Sequence, residues 1–332
     1  YSNRITRRLL RLAPETILSW SSMSDEESNE PSPLILPYRE ISNVGLLYKG
    51  SRLKRSNALK INSLEVIRDD APSIQEKRIF GGSYTLDMQS KCPFRAFFQG
   101  RLGALAPEKI IVGLSPKHRG IAIHRAMEFL FDQKPSQSEL KNWTKNEREA
   151  KVASSVDQAL GTVFGKTRTT LKNMFNSEYQ RMEMILNTFI EVELKRSAFE
   201  ISAIEEKMFF EIGGLKIDFK IDRLDKLGTE DDNSELVIID YKTGTGSSPS
   251  PSNWFKGQPR DIQLPLYALA VKGNVGGIVV SRLTPDKARY SGYWQSKETF
   301  PGRPNKLPEN TTWITQLSVW QTQIEQLAQD YA

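Results

Sequence analysis

A short apolar run, Val237-Ile238-Ile239, leads directly into Asp240-Tyr241-Lys242-Thr243-Gly244. A run of this kind reads as a buried, central strand of a sheet. Side chains alternate along a strand, so Asp240 and Lys242, two positions apart, share one face at its end. A carboxylate and an ammonium at the edge of a buried strand are costly unless they pair, bind a metal or do chemistry.

The pattern around this strand predicts more of the same sheet. Lys207–Ile212 and Leu215–Arg223 read as two strands joined by a Gly213-Gly214 hairpin turn, and a longer loop, Gly228–Ser234, leads to the strand Glu235–Tyr241. Asp222 then sits near the end of the preceding strand, close to Asp240 if the two strands are antiparallel neighbours. Gly244–Pro259 is a Gly/Ser/Pro-rich loop that would order on ligand binding. Asp261–Lys272 reads as a helix, Gly277–Leu283 and Tyr290–Trp294 as further strands. Trp313, Leu317, Trp320, Ile324 and Leu327 form the stripe of a last helix that packs on the core.

Upstream the period is helical. Ser83 is placed to cap a helix carrying Leu86, Phe94, Phe97 and Phe98, with a break at Pro93. A second helix spans Lys117–Phe131, a polar helical region runs to about Lys172, and Ser177–Arg196 follows with Ser177 as its cap and Met182, Ile185, Leu186 and Phe189 on one face. Residues 1–80 read as a lead-in, partly flexible around Ser21–Pro33, with Ile41–Leu47 able to dock on a neighbour. Helices, then mixed strands, then helices describe an α/β or α+β domain over about 81–332 around one mixed sheet, with a helical insertion over about 132–204.

Two close carboxylates repel, and a divalent cation relieves that repulsion; magnesium suits two carboxylates plus phosphate oxygens. Lys242 would then orient a water or stabilise charge developing on phosphorus. Taken alone, Asp240 and Lys242 also fit a surface ion pair beside a turn. His124 has Gly120 one turn before it and Met127 and Phe131 on its side of the helix, which fits a packed core histidine as well as a ligand. Gln263 and Tyr267 share a helix face and fit either a polar edge or a phosphate or base contact.

Composition excludes several classes. The single cysteine, Cys92, rules out an internal disulfide framework, a four-cysteine zinc site and an iron–sulfur cluster held by this chain alone; it reads as a small buried residue. The two histidines, His118 and His124, rule out a multi-histidine centre. No Gly-rich phosphate loop of the G-x-x-x-x-G-K-S/T type is present, and no apolar run approaches the length of a membrane span. Among 332 residues the net charge is +6, with basic clusters at Arg4, Arg7, Arg8 and Arg11, at Lys49, Arg52, Lys54 and Arg55, and at Lys117, His118 and Arg119, a moderate footprint for phosphate.

Taken together, these segments resemble the RecB-like branch of the PD-(D/E)XK nuclease superfamily over about Ser83–Leu283. Asp222 with Asp240-Tyr241-Lys242-Thr243-Gly244 matches its paired acids and lysine, Gly120-Ile121-Ala122-Ile123-His124 its Gly-x-x-x-His helix, Gln263-Leu264-Pro265-Leu266-Tyr267 its Gln-x-x-x-Tyr helix, and Ser83 through Cys92-Pro93 to Phe97-Phe98 its opening segment. The resemblance implies a restriction-endonuclease-like mixed sheet flanked by helices. It implies Asp222, Asp240 and Lys242 as catalytic residues, and His124, Asp222, Asp240 and the Tyr241 backbone carbonyl as ligands of Mg2+, which Mn2+ could replace. Gln263, Tyr267, Arg119 and Lys117 would contact DNA. In AddB-like relatives the opening cysteine joins three others around an iron–sulfur cluster; with Cys92 alone, no such cluster is expected here.

The activity implied is a deoxyribonuclease, end-processing and able to use single strands. It would act in recombinational repair in a bacterial cytoplasm, at the nucleoid, beside a helicase subunit or a preceding helicase-like region, of which Ile17–Trp20 and Ser32–Ile35 resemble the tail. A start without Met fits a piece of a larger repair protein. The alternative is a catalytically silent nuclease-fold module that binds DNA or a helicase partner.

Overall fold

The computed structural model describes residues 79, 81–106, 111, 113–165, 168, 170–228, 234–243, 250–257, 260–296 and 299–332, with residues 10, 16, 18, 20, 23–24, 27–28 and 30–38 before them. The two N-terminal basic clusters, Ile41–Leu47, Gly244, most of the loop expected at Gly228–Ser234 and half of that expected at Gly244–Pro259 lie outside the described residues. The chain divides into two compact units, 1–71 and 72–332. In the first, β1 (Met23–Ser24) and β2 (Glu27–Ser28) form a small antiparallel pair.

The second unit is built on one five-stranded sheet in the order β3 (Phe199–Ile212), β4 (Leu215–Leu227), β5 (Glu235–Lys242), β6 (Val275–Leu283) and β7 (Ala288–Trp294). All neighbours are antiparallel except β5 and β6, which are parallel. Parallel neighbours need a crossover, and α7 (Gln263–Ala270) lies on it. Val237, Ile238 and Ile239 of the central strand are fully buried. Burial of each such side chain stabilises the fold by about 1.5–3 kcal/mol.

Helices cover both faces. On one, Val237, Ile239 and Tyr241 pack with α3 (Pro116–Leu130), α5 (Lys145–Phe164) and α6 (Lys172–Glu193). On the other, Ile238 packs with α1 (Ser83–Lys91), α7 and α8 (Trp313–Tyr331). Short α2 (Pro93–Arg95) runs into a π-turn (Ala96–Arg101), and α4 (Gln137–Asn142) precedes α5. This is a restriction-endonuclease-like mixed sheet flanked by helices. Among the described residues, no helix is long and apolar enough to cross a membrane.

Several local expectations are corrected. Gly82, not Ser83, is the cap of α1, and Ser83 is already helical. The helix expected from Ser177 starts a turn and a half earlier, and the Ser177 hydroxyl donates back to the Asn173 carbonyl at 3.0 Å. Pro93 does restart the helix, but Cys92 beside it is exposed, not buried. The strand expected from Lys207 starts at Phe199, and Asp222 lies within β4 and not near its end.

Position 222 is nevertheless special. The Gly213-Gly214 turn has φ of 56° and 80°, the left-handed pair that a two-residue hairpin demands. In β4, Leu215, Ile217, Phe219 and Ile221 belong to the core under α8, whereas Leu227, six residues on, belongs to the opposite core. An even step should keep a side chain on the same face. The hairpin therefore changes faces on the way. The change falls beside Glu205, which has a φ of 47° and lies between the pairs Ile204↔Arg223 and Glu206↔Ile221.

Candidate active site

Three elements converge where the hairpin changes faces. Helix α3 is started by Ser115, whose hydroxyl accepts the His118 N–H at 3.2 Å, with Pro116 as its first residue. Its buried stripe of Ile123, Ala126, Met127 and Leu130 fixes its rotation. Gly120 stands over the end of β5, where an added Cβ would lie 3.6 Å from the Thr243 hydroxyl. One turn on, His124 points at β4 and β5. Its Nε2 lies 3.1 Å from the Tyr241 carbonyl oxygen, and its Nδ1 lies 3.0 Å from Glu205 Oε1 and 3.4 Å from Asp222 Oδ1.

Asp222 ties these strands together. Its Oδ2 accepts the Tyr241 backbone N–H at 2.8 Å. Burial disfavours the His124 imidazolium, but Asp222 and then Glu205 outweigh it and raise the pKa to about 10.

Asp240 and Lys242 occupy one face of the β5 end, as the alternation predicts. The ammonium reaches the two Asp240 oxygens at 2.9 and 2.8 Å. Gln263, the first residue of α7, donates to Asp240 Oδ1 at 2.9 Å and accepts from Lys242 at 3.3 Å. It also donates to the Tyr267 hydroxyl at 3.2 Å, which lies 3.5 Å from Ser83 Oγ. Tyr267 is buried and stacked on Phe219 at 4.5 Å, so its ring faces the core while its hydroxyl faces the site. Burial raises the Asp240 carboxyl to about 6 even though Lys242 opposes it, and Asp222 adds to the rise. Burial disfavours the Lys242 ammonium, but Asp240 overcomes this and its pKa is raised.

The sequence-derived residues therefore separate into two linked groups. Among the described residues, His124, Asp222 and Glu205 offer ligand atoms within 4.8 Å of one another. Asp240 instead engages Lys242 and Gln263, and is joined to the first group through the adjacent Tyr241 peptide. The Asp222 carboxylate, an imidazole nitrogen and a backbone carbonyl at one spot, with the Asp240 carboxylate one residue along β5, are a donor set that fits a divalent cation. Arg119, expected at DNA, pairs with Glu178 of α6, its Nε donating at 2.7 Å, while Lys117 is exposed at the start of α3.

Glu205 was missed by sequence reasoning. The signal was present: pairing runs outward step by step from Ile212↔Leu215, and counting on along it brings position 205 opposite position 222. Glu205-Glu206 reads instead as a polar boundary before a strand, which hides the acid.

A cavity of about 270 Å³ adjoins Asp240 and Gln263, lined also by Ser83, Tyr84, Asp87 and Trp254. It opens the β5 end to a substrate of some size.

Comparison with known proteins adds the family. No curated protein matches the chain. Among solved structures it is similar to one titled crystal structure of SSO0001, at 14% identity over 75% of this chain and 84% of that one, with a TM-score of 0.21, too slight a likeness to bear on the site. The sequence model of the PD-(D/E)XK nuclease superfamily, whose members are typically metal-dependent nucleases, matches residues 85–332. That span holds the whole sheet, the helices on both faces save the first two residues of α1, and His124, Glu205, Asp222, Asp240, Lys242 and Gln263, and the chain belongs to the PD-(D/E)XK nuclease superfamily.

Proposed function

We propose that this chain is a Mg2+-dependent deoxyribonuclease of the RecB-like branch, related to AddB-like repair proteins. It processes DNA ends, accepts single strands, and serves recombinational repair in the bacterial cytoplasm beside a helicase subunit or a helicase-like region. The observation that supports this most is the junction at Tyr241. Its carbonyl faces His124, its N–H is held by Asp222, and its two neighbours are Asp240 and Lys242, paired and indexed by Gln263.

His124, Asp222, Asp240 and the Tyr241 carbonyl would hold the cation. When bound, it supplies a Lewis acid on the scissile phosphate and a more acidic water. The chain's own contribution is placement. Asp222 holds the Tyr241 N–H and so fixes the end of β5 at the residue whose carbonyl faces His124. Lys242 carries a positive charge at the open edge of the strand, where negative charge develops on the phosphoryl oxygens. Gln263 donates to Asp240 and accepts from Lys242, and so holds the carboxylate and the ammonium together at the end of β5. Lys117 and Arg119 lie on the helix that carries His124 and would meet the DNA backbone.

The test is cleavage of end-labelled single- and double-stranded DNA with Mg2+ or Mn2+, comparing wild type with Asp240→Ala. Cutting that needs metal and is lost in the variant is the expected result, and the product ladder gives the polarity. A folded, metal-binding wild type that cuts neither substrate would replace this reading with that of a binding module.

A further inference from the structure

We propose that Glu205 is a positioning residue for His124: its carboxylate accepts the Nδ1 proton and so presents Nε2 to the metal. The inference rests on the metal-binding reading of the site and adds a residue to it.

An imidazole gives an ion one nitrogen, and which one is set by the hydrogen bond made by the other. Here Nε2 faces the Tyr241 carbonyl at 3.1 Å, and Nδ1 faces Glu205 Oε1 at 3.0 Å, nearer than Asp222 Oδ1 at 3.4 Å. The two nitrogens point away from each other across the ring, so an ion shared with the Tyr241 carbonyl takes Nε2 and leaves Nδ1 to a carboxylate. The second Glu205 oxygen is paired with the Lys220 ammonium. A carboxylate already held by an ammonium is poorly suited to a divalent ion, whose charge would face that of Lys220 at close range. It is well suited to accept a proton from a ring.

The backbone supports the assignment. Glu205 is held at a φ of 47°, a left-handed conformation that side chains other than Asn and Asp rarely adopt, inside a strand that needs no turn there. Its side chain is 3% exposed. An acid that is both strained and buried is retained where its exact placement matters, and the hydrogen bond to His124 together with the Lys220 pair is what this placement achieves.

Two variants test it. Glu205→Gln keeps the length and an accepting oxygen. Glu205→Asn suits the left-handed backbone but is one methylene too short to reach Nδ1. Mn2+ affinity is read by electron paramagnetic resonance, and the ring nitrogens of the Mg2+-loaded protein by 15N spectra, which are simple because the chain has two histidines. The expected result is a loss of about 10- to 100-fold in Mn2+ affinity for Glu205→Asn, a smaller loss for Glu205→Gln, and an Nδ1–H signal from His124 kept in Gln and averaged in Asn. Unchanged affinity and ring signals in Glu205→Asn would overturn the proposal. So would losses in both variants as large as in His124→Ala, which would make Glu205 a ligand. A wild type that binds Mn2+ but cuts no DNA removes the nuclease reading and leaves this one; a wild type that cuts while Glu205→Asn holds Mn2+ unchanged removes this one alone.

Discussion

Asp222 accepts the backbone N–H of Tyr241 at 2.8 Å, just past the Arg223↔Ile239 pair where the β4–β5 ladder ends. The bond continues the sheet by one side-chain rung and spends one carboxylate oxygen on structure, leaving Oδ1 turned toward His124.

Asp222→Asn therefore separates fold from site. The amide oxygen can still accept the Tyr241 N–H, so the melting temperature should stay near wild type, while metal affinity falls by about a hundredfold or more, since a charged ligand becomes a neutral one. Asp222→Ala should lose metal affinity and, with a buried donor left unpaired, about 1–3 kcal/mol of stability as well. Calorimetry and thermal melts on the two variants check this; equal stability in both would mean the Tyr241 bond contributes nothing.

Lys242→Ala should lower the cleavage rate on the order of 10²- to 10³-fold with little change in DNA affinity, the effect expected for a group that meets charge in the transition state. Lys242 also holds the Asp240 pKa down. Without it Asp240 takes up a proton more readily, so metal affinity of the variant should fall at pH 6 and recover at pH 8. Single-turnover cleavage at pH 8 isolates the lysine's own part, and a wild-type rate there would remove it from the mechanism.

Much of this site was legible because strand physics is local. The buried run before Asp240 predicts a central strand, and a period of two puts Asp240 and Lys242 together, as their ion pair shows. Gln263 and Tyr267 were legible as one helix face, but not their turn inward to Asp240, because a helix pattern says which residues are neighbours and not what lies opposite. Glu205 was hidden because its left-handed φ of 47° breaks the alternation of faces that sequence reading relies on. Ser177 was misplaced as a cap because serine also fits a helix interior when its hydroxyl bonds back to a carbonyl, as here, whereas Ser83 stands one residue inside α1 with its hydroxyl toward Tyr267.

Metal binding at neutral pH should expel a proton. In the metal-free protein burial disfavours the His124 imidazolium, but Asp222 and Glu205 overcome that and keep it protonated up to about pH 10. An imidazole must be neutral to ligate. Calorimetric titration of Mg2+ or Mn2+ at pH 7.5 in two buffers of different ionisation enthalpy should show release of about one proton per ion, and none in His124→Gln. Equal apparent enthalpies in both buffers for the wild type would mean that His124 does not exchange its proton for the ion.

The last prediction concerns what holds β4 in place beside the site. Arg223, next to Asp222, reaches Asp225 through Nε at 2.6 Å and a terminal nitrogen at 2.9 Å, and Glu193 of α6 at 2.7 Å. Arg196 completes the ring with Glu193 at 3.0 Å and Asp225 at 2.7 Å, and its guanidinium lies over Phe199 and Phe300. All four side chains are fully buried, two of each sign. A buried ring of this kind adds little over a well-packed apolar core, but removing one member strands a charge and costs about 3–5 kcal/mol. Glu193→Leu should destabilise the protein by that amount at pH 7. Burial works against the Glu193 carboxylate, but Arg196 and Arg223 overcome it and lower its pKa below the ordinary 4.5. A depressed carboxylate contributes stability that is present above the unfolded value and lost as pH falls through the folded one. The gap between wild type and Glu193→Leu should thus be full above pH 4.5 and close progressively below it. Urea unfolding from pH 7 to pH 3 measures the gap, and a gap that stays constant across that range would mean that the Glu193 charge has no part in holding α6 to β4.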